Sequence, residues 1–299
     1  MKKLSTAGFS RARDFIRSQA RPLERALFAH EFEGAPAEPA LAALAEFRNS
    51  DGGFGRALEP DLRAPGSSAL AALTALDLLR DLGCDARDSL VRSAIGWLVD
   101  RFDPEIPGWR CIPPDTADFA HAPHWQPELH APGGPWPVAI IPGAGLLSHL
   151  EHWRELAPDT LRKALLEALL SVVSTLDEAG ADSLVYLARV EHPALRARAR
   201  ALAQTQVTRD PALWTTYCAK PLKLAPAPDA PLYDGLAEEV TRNLDWELEQ
   251  QGADGPWSPN WDWQGHFPAE WQVARREWQG ELTLRTLRSF RAFGRLQRA

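Results

Sequence analysis

Apolar residues recur at the three- and four-residue spacing of amphipathic helices along most of this 299-residue chain. In residues 159–178 they form one stripe, and charged residues fill the opposite side. Residues 68–82 instead carry small or apolar side chains on nearly all sides, as a helix packed on both faces requires. No segment shows the sustained alternation of a half-buried strand. The pattern predicts an all-α protein with an inner and an outer class of helix.

The predicted helices are separated by long stretches rich in Pro, Gly and Trp. The helices are expected at residues 10–19, 23–32, 39–48, 68–82, 87–101, 138–153, 159–178, 181–190, 193–206, 234–250 and 282–296. The stretches are residues 49–67, 102–137 and 252–280, the last with a small helix at 270–278. Loops of this length are uncommon in compact domains and are usually functional or disordered. Because they hold many of the 12 tryptophans, we expect them to be ordered and packed.

Composition excludes several classes of protein. No apolar run approaches the length of a membrane span, and the N-terminus lacks an apolar signal region, so we predict a cytoplasmic protein. The net charge of −7 without a Lys/Arg run argues against nucleic acid as a partner. Three widely spaced cysteines indicate neither a disulfide framework nor a thiolate zinc site. No phosphate-binding glycine motif occurs, and we expect no cofactor.

A weak internal repeat joins a helix, a polar turn, and a Gly followed closely by an aromatic residue. It occurs at residues 44–55, 95–109 and 244–257. We expect Gly to supply the positive φ at each turn, and Asp51 or Asp254 to close the turn with its side chain. Trp109 and Trp257 are then anchors buried between helix layers.

The sequence FRNSDGGFG, followed by the small-residue helix SSALAALTALDLL, resembles the repeat of squalene-hopene type terpene cyclases and protein prenyltransferase β subunits. The C-terminal stretch is similar to uncharacterised bacterial proteins that carry this repeat. The resemblance implies a single α/α toroid of about five or six helical hairpins over residues 1–299. Residues 1–35 would form a helical segment packed on the ring.

The motifs of these families are missing from the chain. There is neither the D-x-D-D acid motif of class II cyclases nor the D-D-x-x-D motif of class I chemistry. Cys218 follows Thr216 and Tyr217, so the Asp-x-Cys element of the prenyltransferase zinc site is absent too. The resemblance therefore implies a fold and an isoprenoid-like substrate class, and leaves the chemistry to other residues.

The first candidate site is the loop that leads into the helix at 68–82. Glu59 and Asp61 stand one residue apart, and such a pair can raise one pKa and provide an acid for catalysis. Arg63 would bind ligand, or would hold the two acids as an ion-pair latch.

The second candidate site is the Pro-rich loop with His121, His124 and Trp125. The imidazoles suit contact with a ligand or general base catalysis, and ordinary loop hydrogen bonding is the alternative. An H-x-x-H pair could also hold a metal if Asp118 or Glu128 converged on it. We commit to no metal site.

The third candidate site lies near the C-terminus, where Trp261 and Trp263 precede Glu270. Aromatic walls beside carboxylates stabilise carbocations and also stack on sugar faces. We expect all three residues to contact ligand.

These sites support three hypotheses of function. The first is a terpene-cyclase-like enzyme with an aromatic-lined axial pocket, in which Asp61 or Glu59 starts the cyclisation or isomerisation of an apolar small molecule. The second is a noncatalytic ligand-binding or interaction module on a toroid scaffold. The third is a carbohydrate-active hydrolase, which needs two opposed carboxylates about 5–10 Å apart.

Overall fold

The computed structural model describes residues 1–130 and 137–297, and every regular element within them is helical. The α-helices are α1 (Thr6–Gln19), α2 (Pro22–Glu33), α3 (Glu38–Ala45), α4 (Ala69–Asp81), α5 (Ser89–Asp100), α6 (Gly143–His152), α7 (Asp159–Val173), α8 (Ala181–Arg189), α9 (Pro193–Gln206), α10 (Pro221–Leu224), α11 (Ala237–Glu247) and α12 (Pro268–Ala292). The all-α prediction is confirmed. Over these ranges, no helix has both the length and the apolarity that crossing a lipid bilayer demands. The part of the predicted loop at 131–136 lies outside the described residues.

Side-chain caps place several helix starts where the sequence predicts them. Ser68 accepts a hydrogen bond from the backbone N–H of Ala71 at 3.0 Å and so begins α4. Asp88 caps α5 in the same way through the N–H of Leu90 at 2.8 Å. The helices predicted from periodicity at these places therefore form with ordinary local chemistry.

The last helix is the largest departure from prediction. Instead of a loop with a small helix and a separate helix at 282–296, α12 runs unbroken over 25 residues. Gly280 lies in its middle, where a glycine usually weakens a helix. Here a side chain would not fit, because a Cβ on Gly280 would stand 2.8 Å from the Cβ of Ala20. The glycine permits the close packing of α12 on the end of α1.

The contacts of the even-numbered helices differ from those of the odd-numbered ones. Consecutive even-numbered helices from α4 to α10 pack on one another, and α12 packs on α2. Each of these helices also packs on an odd-numbered neighbour, as in the pairs α1 with α2, α4 with α5, α6 with α7, α8 with α9 and α10 with α11. The even-numbered helices, called the inner helices below, thus pack on one another over most of the series and on odd-numbered neighbours.

The inner helices α2 and α12 point the same way. Near the start of α2, the charge of Glu277 influences Arg21. Near the other end of both helices, Arg288 of α12 pairs with Glu31 of α2 at 2.5 Å. Because both contacts advance in the same sense along the two helices, α2 and α12 are parallel.

The same holds for α4 and α6. Leu73 packs on Gly145, whose Cβ would stand 2.7 Å from the leucine side chain and 3.1 Å from the ring of Tyr186. Four residues on in each helix, the Nε2 of His149 lies 3.2 Å from a carboxylate oxygen of Asp77. α4 and α6 are therefore parallel as well.

The repeat turn at 51–53 forms as predicted. Gly52 has a φ of 91°, and the carboxylate of Asp51 accepts a hydrogen bond from the N–H of Gly53 at 3.1 Å. The same carboxylate accepts from the hydroxyl of Ser67 at 2.7 Å and the indole of Trp97 at 2.9 Å. Burial would raise the pKa of Asp51, but these hydrogen bonds lower it.

The predicted anchors Trp109 and Trp257 are both 3% exposed. Each indole donates to a carbonyl near the end of the preceding helix, Trp109 to Leu98 at 2.7 Å and Trp257 to Glu247 at 2.9 Å. The equivalent bonds confirm both anchors and fix the long loops to the helices.

The two ends of the chain meet. The N–H of Leu4 donates to the carbonyl of Arg295 at 2.7 Å, and the N–H of Gln297 donates to the carbonyl of Leu4 at 3.0 Å. α1 packs on both α2 and α12. The N-terminal segment is therefore attached directly to the last helix.

Candidate functional site

Residues 58–63, called the acid loop below, follow a strained piece of backbone. Arg56 and Ala57 both have positive φ, 54° and 60°, in a region that costs an L-residue about 1–2 kcal/mol. Arg21 holds this strained segment, because its guanidinium donates to the carbonyls of Ala57 and Leu58 at 3.1 and 3.2 Å. The other non-glycine residues with positive φ in the described chain are Gln264 and Phe267. Strain is thus confined to the two loops that carry the candidate residues, as is common at functional sites.

Asp61 is 1% exposed, and both of its carboxylate oxygens are hydrogen-bonded. Trp261 donates its indole N–H to one oxygen at 2.9 Å, and Trp263 donates to the other at 2.8 Å. A third neighbour, His124, places its Nε2 3.8 Å from the carboxylate. Three of the predicted regions therefore meet at this one side chain. With both oxygens hydrogen-bonded and the side chain buried, Asp61 holds the loops together.

The backbone around Asp61 strengthens this junction. The carbonyl of Asp61 accepts from the N–H of Ala122 at 2.9 Å, and the N–H of Arg63 donates to the carbonyl of Ala120 at 3.0 Å. Between them, Leu62 and His121 form an isolated antiparallel bridge. The acid loop is therefore held rigidly against the loop that contains the histidines.

Glu59 is half-buried, and no hydrogen bond to its carboxyl occurs within residues 1–130 and 137–297. Burial raises the pKa of Glu59 well above its ordinary value, and the charges of Asp61 and Glu281 add to this effect. Arg285 and Arg21 oppose it without cancelling it. A carboxyl that retains its proton and has no protein acceptor is chemically suited to donate that proton to a bound molecule.

Arg63 forms a two-pronged ion pair with Glu277 of α12, at 2.5 and 3.3 Å. Its guanidinium also donates to the carbonyl of Pro60 at 3.3 Å. The prediction that Arg63 holds Glu59 and Asp61 together is therefore wrong, because its ion pair joins the acid loop to α12 instead. This ion pair holds Glu277 and its part of α12 against the acid loop.

Inward from the acid loop, charged and tyrosine side chains of the inner helices face one another. We call them the interior charged cluster: Asp77 and Asp81 of α4, Asp182, Tyr186 and Arg189 of α8, Lys223 of α10, and Glu281, Arg285 and Arg288 of α12. Arg189 pairs with Asp77 at 3.0 Å, Lys223 with Asp182 at 2.9 Å, and Arg285 with Glu281 at 2.5 Å. The charge of Glu59 also acts on Arg285. The cluster therefore continues from the acid loop.

The interior charged cluster surrounds space that water can reach. Desolvation by surrounding protein is the largest influence on the pKa of both Asp182 and Arg285. Even so, the side chains of Asp182 and Arg285 are 61% and 48% exposed. Both groups therefore lie among many protein atoms and remain in contact with solvent. Opposite charges then set the titration of Asp182, because burial would raise its pKa but Lys223 and Arg285 lower it.

At the end of the cluster away from the acid loop, several side chains converge on Asp77. Tyr186 donates its hydroxyl to Asp77, and Arg189 and His149 also reach the carboxylate. Burial alone would raise the pKa of Asp77, but these partners hold it at about 2. The same burial and the charge of Asp77 raise the pKa of Tyr186 well above its ordinary value. Asp77 thus keeps its negative charge at neutral pH.

The two predicted tryptophans differ in accessibility. Trp263, which we expected to contact ligand, is fully buried and packs on Ala122, Ala274 and Trp271, so a ligand cannot touch it in this conformation. Trp261 is partly exposed and lies edge-on to Tyr217, with ring centroids 6.1 Å apart. Trp261 is therefore the indole available to a ligand.

Trp125 is partly buried and packs against the apolar groups on either side of the junction. Its ring centroid lies 5.0 Å from that of His124. It stabilises the contact between the loops.

The histidines of the Pro-rich loop make different contacts from one another. The Nδ1 of His121 lies 2.7 Å from the carbonyl oxygen of Phe119, and Asp118 and Glu128 are exposed. Within the described part of the chain, no three His, Cys, Asp or Glu side chains gather as a ligand set. His124 is half-exposed beside Asp61. Burial lowers its pKa and the charge of Asp61 opposes this, so a neutral imidazole is favoured near neutral pH.

Glu270 is separate from the other candidates. It is exposed in the first turn of α12. There it suits the helix dipole, as an acidic residue at a helix N-terminus does. The expected ligand contact of Glu270 has no support from this position.

The interior charged cluster was not predicted. In α4 its two members are charges four residues apart, and Glu281 and Arg285 of α12 have the same spacing, while in α8 Tyr186 and Arg189 follow Asp182 at four and seven residues. Charges at helical spacing in the mostly apolar helix α4 are the signal that could have revealed it.

No family model, curated protein or solved structure matches this chain.

Proposed function

We propose that this chain is an enzyme built on a closed ring of six helical hairpins, in which Glu59 donates a proton to a polar, hydroxyl-bearing substrate inside the ring. The observation that carries the proposal is the half-buried carboxyl of Glu59, which has no hydrogen-bonding partner among the described residues and lies near the charges of Asp61 and Glu281. Burial and these charges raise its pKa. Hydrolysis of a glycosidic bond is the reaction that fits these groups best. The proposal thus takes up the carbohydrate-active hydrolase of the three hypotheses.

The ring is supported by the order of helix contacts. The twelve helices alternate between inner and outer positions, and the first and last inner helices, α2 and α12, pack on each other. Arg288 of α12 contacts Glu31 of α2 and approaches Asp81 of α4 to within 3.6 Å. Parallel inner helices that return to their starting point enclose an axis, as the resemblance to the terpene-cyclase repeat implies. The cavity inside the interior charged cluster is then the axial chamber.

The polarity of the chamber favours a polar substrate. An isoprenoid chain would displace water from ionised groups such as Asp182 and Arg285 without offering hydrogen bonds, which is costly. A hydroxyl-bearing molecule replaces those lost hydrogen bonds with its own. Proton donation by Glu59 would serve an isoprenoid cyclisation equally well. The charged lining of the chamber, and not the acid, is therefore what favours a carbohydrate over an isoprenoid substrate.

The chemistry needs a donor and a second carboxylate. Glu59 would give its proton to the leaving oxygen as the bond between that oxygen and the anomeric carbon breaks. Water would add to the carbon, and its proton would pass to the carboxylate of Glu281, whose charge acts on Glu59 from α12. Asp61, bonded through both oxygens, is a positioning residue that keeps the acid loop rigid and raises the pKa of Glu59.

The test is a panel of nitrophenyl glycosides of both anomeric configurations, with release of nitrophenol as the measurement. We expect at least one to be hydrolysed, and Glu59→Gln to lower kcat at least ~100-fold, the usual minimum for loss of a general acid. Glu178→Gln, at an exposed position, is the matched control and should keep full activity.

Other outcomes overturn the proposal. Turnover of an apolar polyene such as geranylgeraniol, with none of the glycosides, would support the isoprenoid hypothesis instead. Equal activity of Glu59→Gln and the parent chain would remove Glu59 as the acid. If neither the glycosides nor the polyene were turned over, the noncatalytic ligand-binding module would be the remaining hypothesis.

A further inference from the structure

Beside the mouth of the proposed chamber, Trp261 and Tyr217 form two walls of a recess open to solvent. Its other lining residues are Pro259, Asn260, Asp262 and Gln264. Tyr217 is 67% exposed, which is unusual for an aromatic side chain with an apolar face. The ring of Trp261 lies next to it at nearly a right angle, with ring centroids 6.1 Å apart. The recess thus offers aromatic faces together with amide and carboxylate groups.

The walls of the recess are held in place before any ligand arrives. The indole of Trp261 is fixed by its hydrogen bond to Asp61, and its ring lies edge-on to that of Trp278 at 5.1 Å. The side-chain amide of Asn260 donates to the carbonyls of Trp214 and Thr216, at 3.2 and 2.5 Å, which joins the two sides of the recess. Such preorganisation reduces the entropy that binding costs.

The polar rim of the recess is similarly ordered. Asp262 accepts from the N–H of Gln264 at 2.7 Å and keeps its second oxygen exposed to solvent. Gln264 has a φ of 52°, so the rim carries backbone strain as well. The side chain of Lys223 lies under the opposite face of Tyr217, with the ammonium 5.3 Å from the ring centroid. Only the outer face of Tyr217 is left for a ligand.

We infer that this recess is a carbohydrate subsite outside the chamber, in which a sugar ring packs its C–H face on Tyr217 and Trp261 and its hydroxyls bond to Asp262 and Gln264. A purely apolar ligand would leave the rim groups unpaired, and a purely polar one would leave the aromatic faces uncovered. The inference rests on the proposed function for its link to the acid. Asp61, which holds Trp261, is two residues from Glu59, so their Cα atoms are at most about 7.6 Å apart. A glycan held at the recess would therefore extend towards Glu59.

The experiment is calorimetric titration of the full chain with cello-, xylo-, malto- and chito-oligosaccharides. We expect at least one of them to bind, and Tyr217→Ala to weaken that binding at least tenfold. Leu213→Ala removes a side chain of similar exposure just outside the recess and should leave the affinity unchanged. Because Tyr217 is exposed, its loss should not unfold the chain, which circular dichroism checks.

Glu59→Gln separates this inference from the proposed function, since it should abolish turnover and retain glycan binding. Binding that is lost in Glu59→Gln and kept in Tyr217→Ala would place the sugar in the chamber and overturn the subsite. The absence of binding by all four sugar series would overturn it as well, even where nitrophenyl glycosides are hydrolysed.

Discussion

Replacement of Asp61 tests whether this carboxylate is the structural centre of the loops. In Asp61→Ala, two indole N–H groups lose an acceptor that carries full hydrogen bonds of 2.8 and 2.9 Å. Trp263 is fully buried, so its unpaired N–H should cost about 2–3 kcal/mol. Trp261 is partly exposed and can turn to water, which reduces its share to about 1–2 kcal/mol. The expected loss is therefore about 3–5 kcal/mol, a large part of the ~5–15 kcal/mol that stabilises a typical domain.

The assay is guanidinium unfolding followed by far-ultraviolet circular dichroism. Asp61→Asn keeps one acceptor oxygen and should lose about half as much as the alanine variant. Asp229→Ala, at an exposed position, is the control and should change stability by less than ~0.5 kcal/mol. A double-mutant cycle with Trp263→Phe should show a coupling of at least ~1 kcal/mol. A loss below ~1 kcal/mol in Asp61→Ala would refute the argument that these two hydrogen bonds hold the loops together.

Three further predictions follow from single contacts. The folded-state pKa of Glu59 is raised, so the stability that its protonated form contributes is present below the unfolded pKa of about 4.3 and is lost as pH rises through the folded value. Glu59→Gln should therefore become progressively more stable than the parent chain as pH is raised from 4 to 8 in denaturant titrations, and a difference independent of pH would contradict the raised pKa. Ala57→Gly should stabilise the chain by about 0.5–1 kcal/mol, because it removes left-handed strain at a φ of 60°, whereas a lower unfolding midpoint would show that the segment is unstrained. Gly280→Ala should cost about 1–2 kcal/mol through its clash with Ala20, and Ala20→Gly in the same chain should recover most of that loss.

The local structure of this chain is largely predictable because it rests on short-range chemistry. The turn at Asp51, the cap at Ser68 and the anchors at Trp109 and Trp257 each depend on residues within about a dozen positions of one another along the chain. The pairing of Asp61 with Trp261 and Trp263 depends on residues two hundred positions apart. The sequence alone identifies all three residues as candidates. Whether Asp61 is a catalytic acid or a structural one depends on how its oxygens are bonded in the fold.

The course of α12 shows a second limit of sequence reasoning. Its interior glycine and its mixed surface suggest a break near Gly280, since glycine weakens an isolated helix by up to ~1 kcal/mol. That cost is exceeded by packing, because only a residue without a side chain lets α12 approach Ala20. The partner is contributed by α1, at the other end of the chain. Helix propensity therefore predicts the wrong starting point for this helix. The observed starting point depends on tertiary contact.

The interior charged cluster went unpredicted for a related reason. A charged stripe on an amphipathic helix normally faces bulk water, and the same stripe can equally face water inside a ring. In α4 the charges of Asp77 and Asp81 stand four residues apart in a helix whose other side chains are mostly apolar. The contacts of Asp77 with Arg189 and of Asp81 with Arg288 join α4 to α8 and α12. Charges at helical spacing in a mostly apolar helix therefore indicate side chains that meet other helices, whereas the general rule for amphipathic helices assigns such charges to the outer surface.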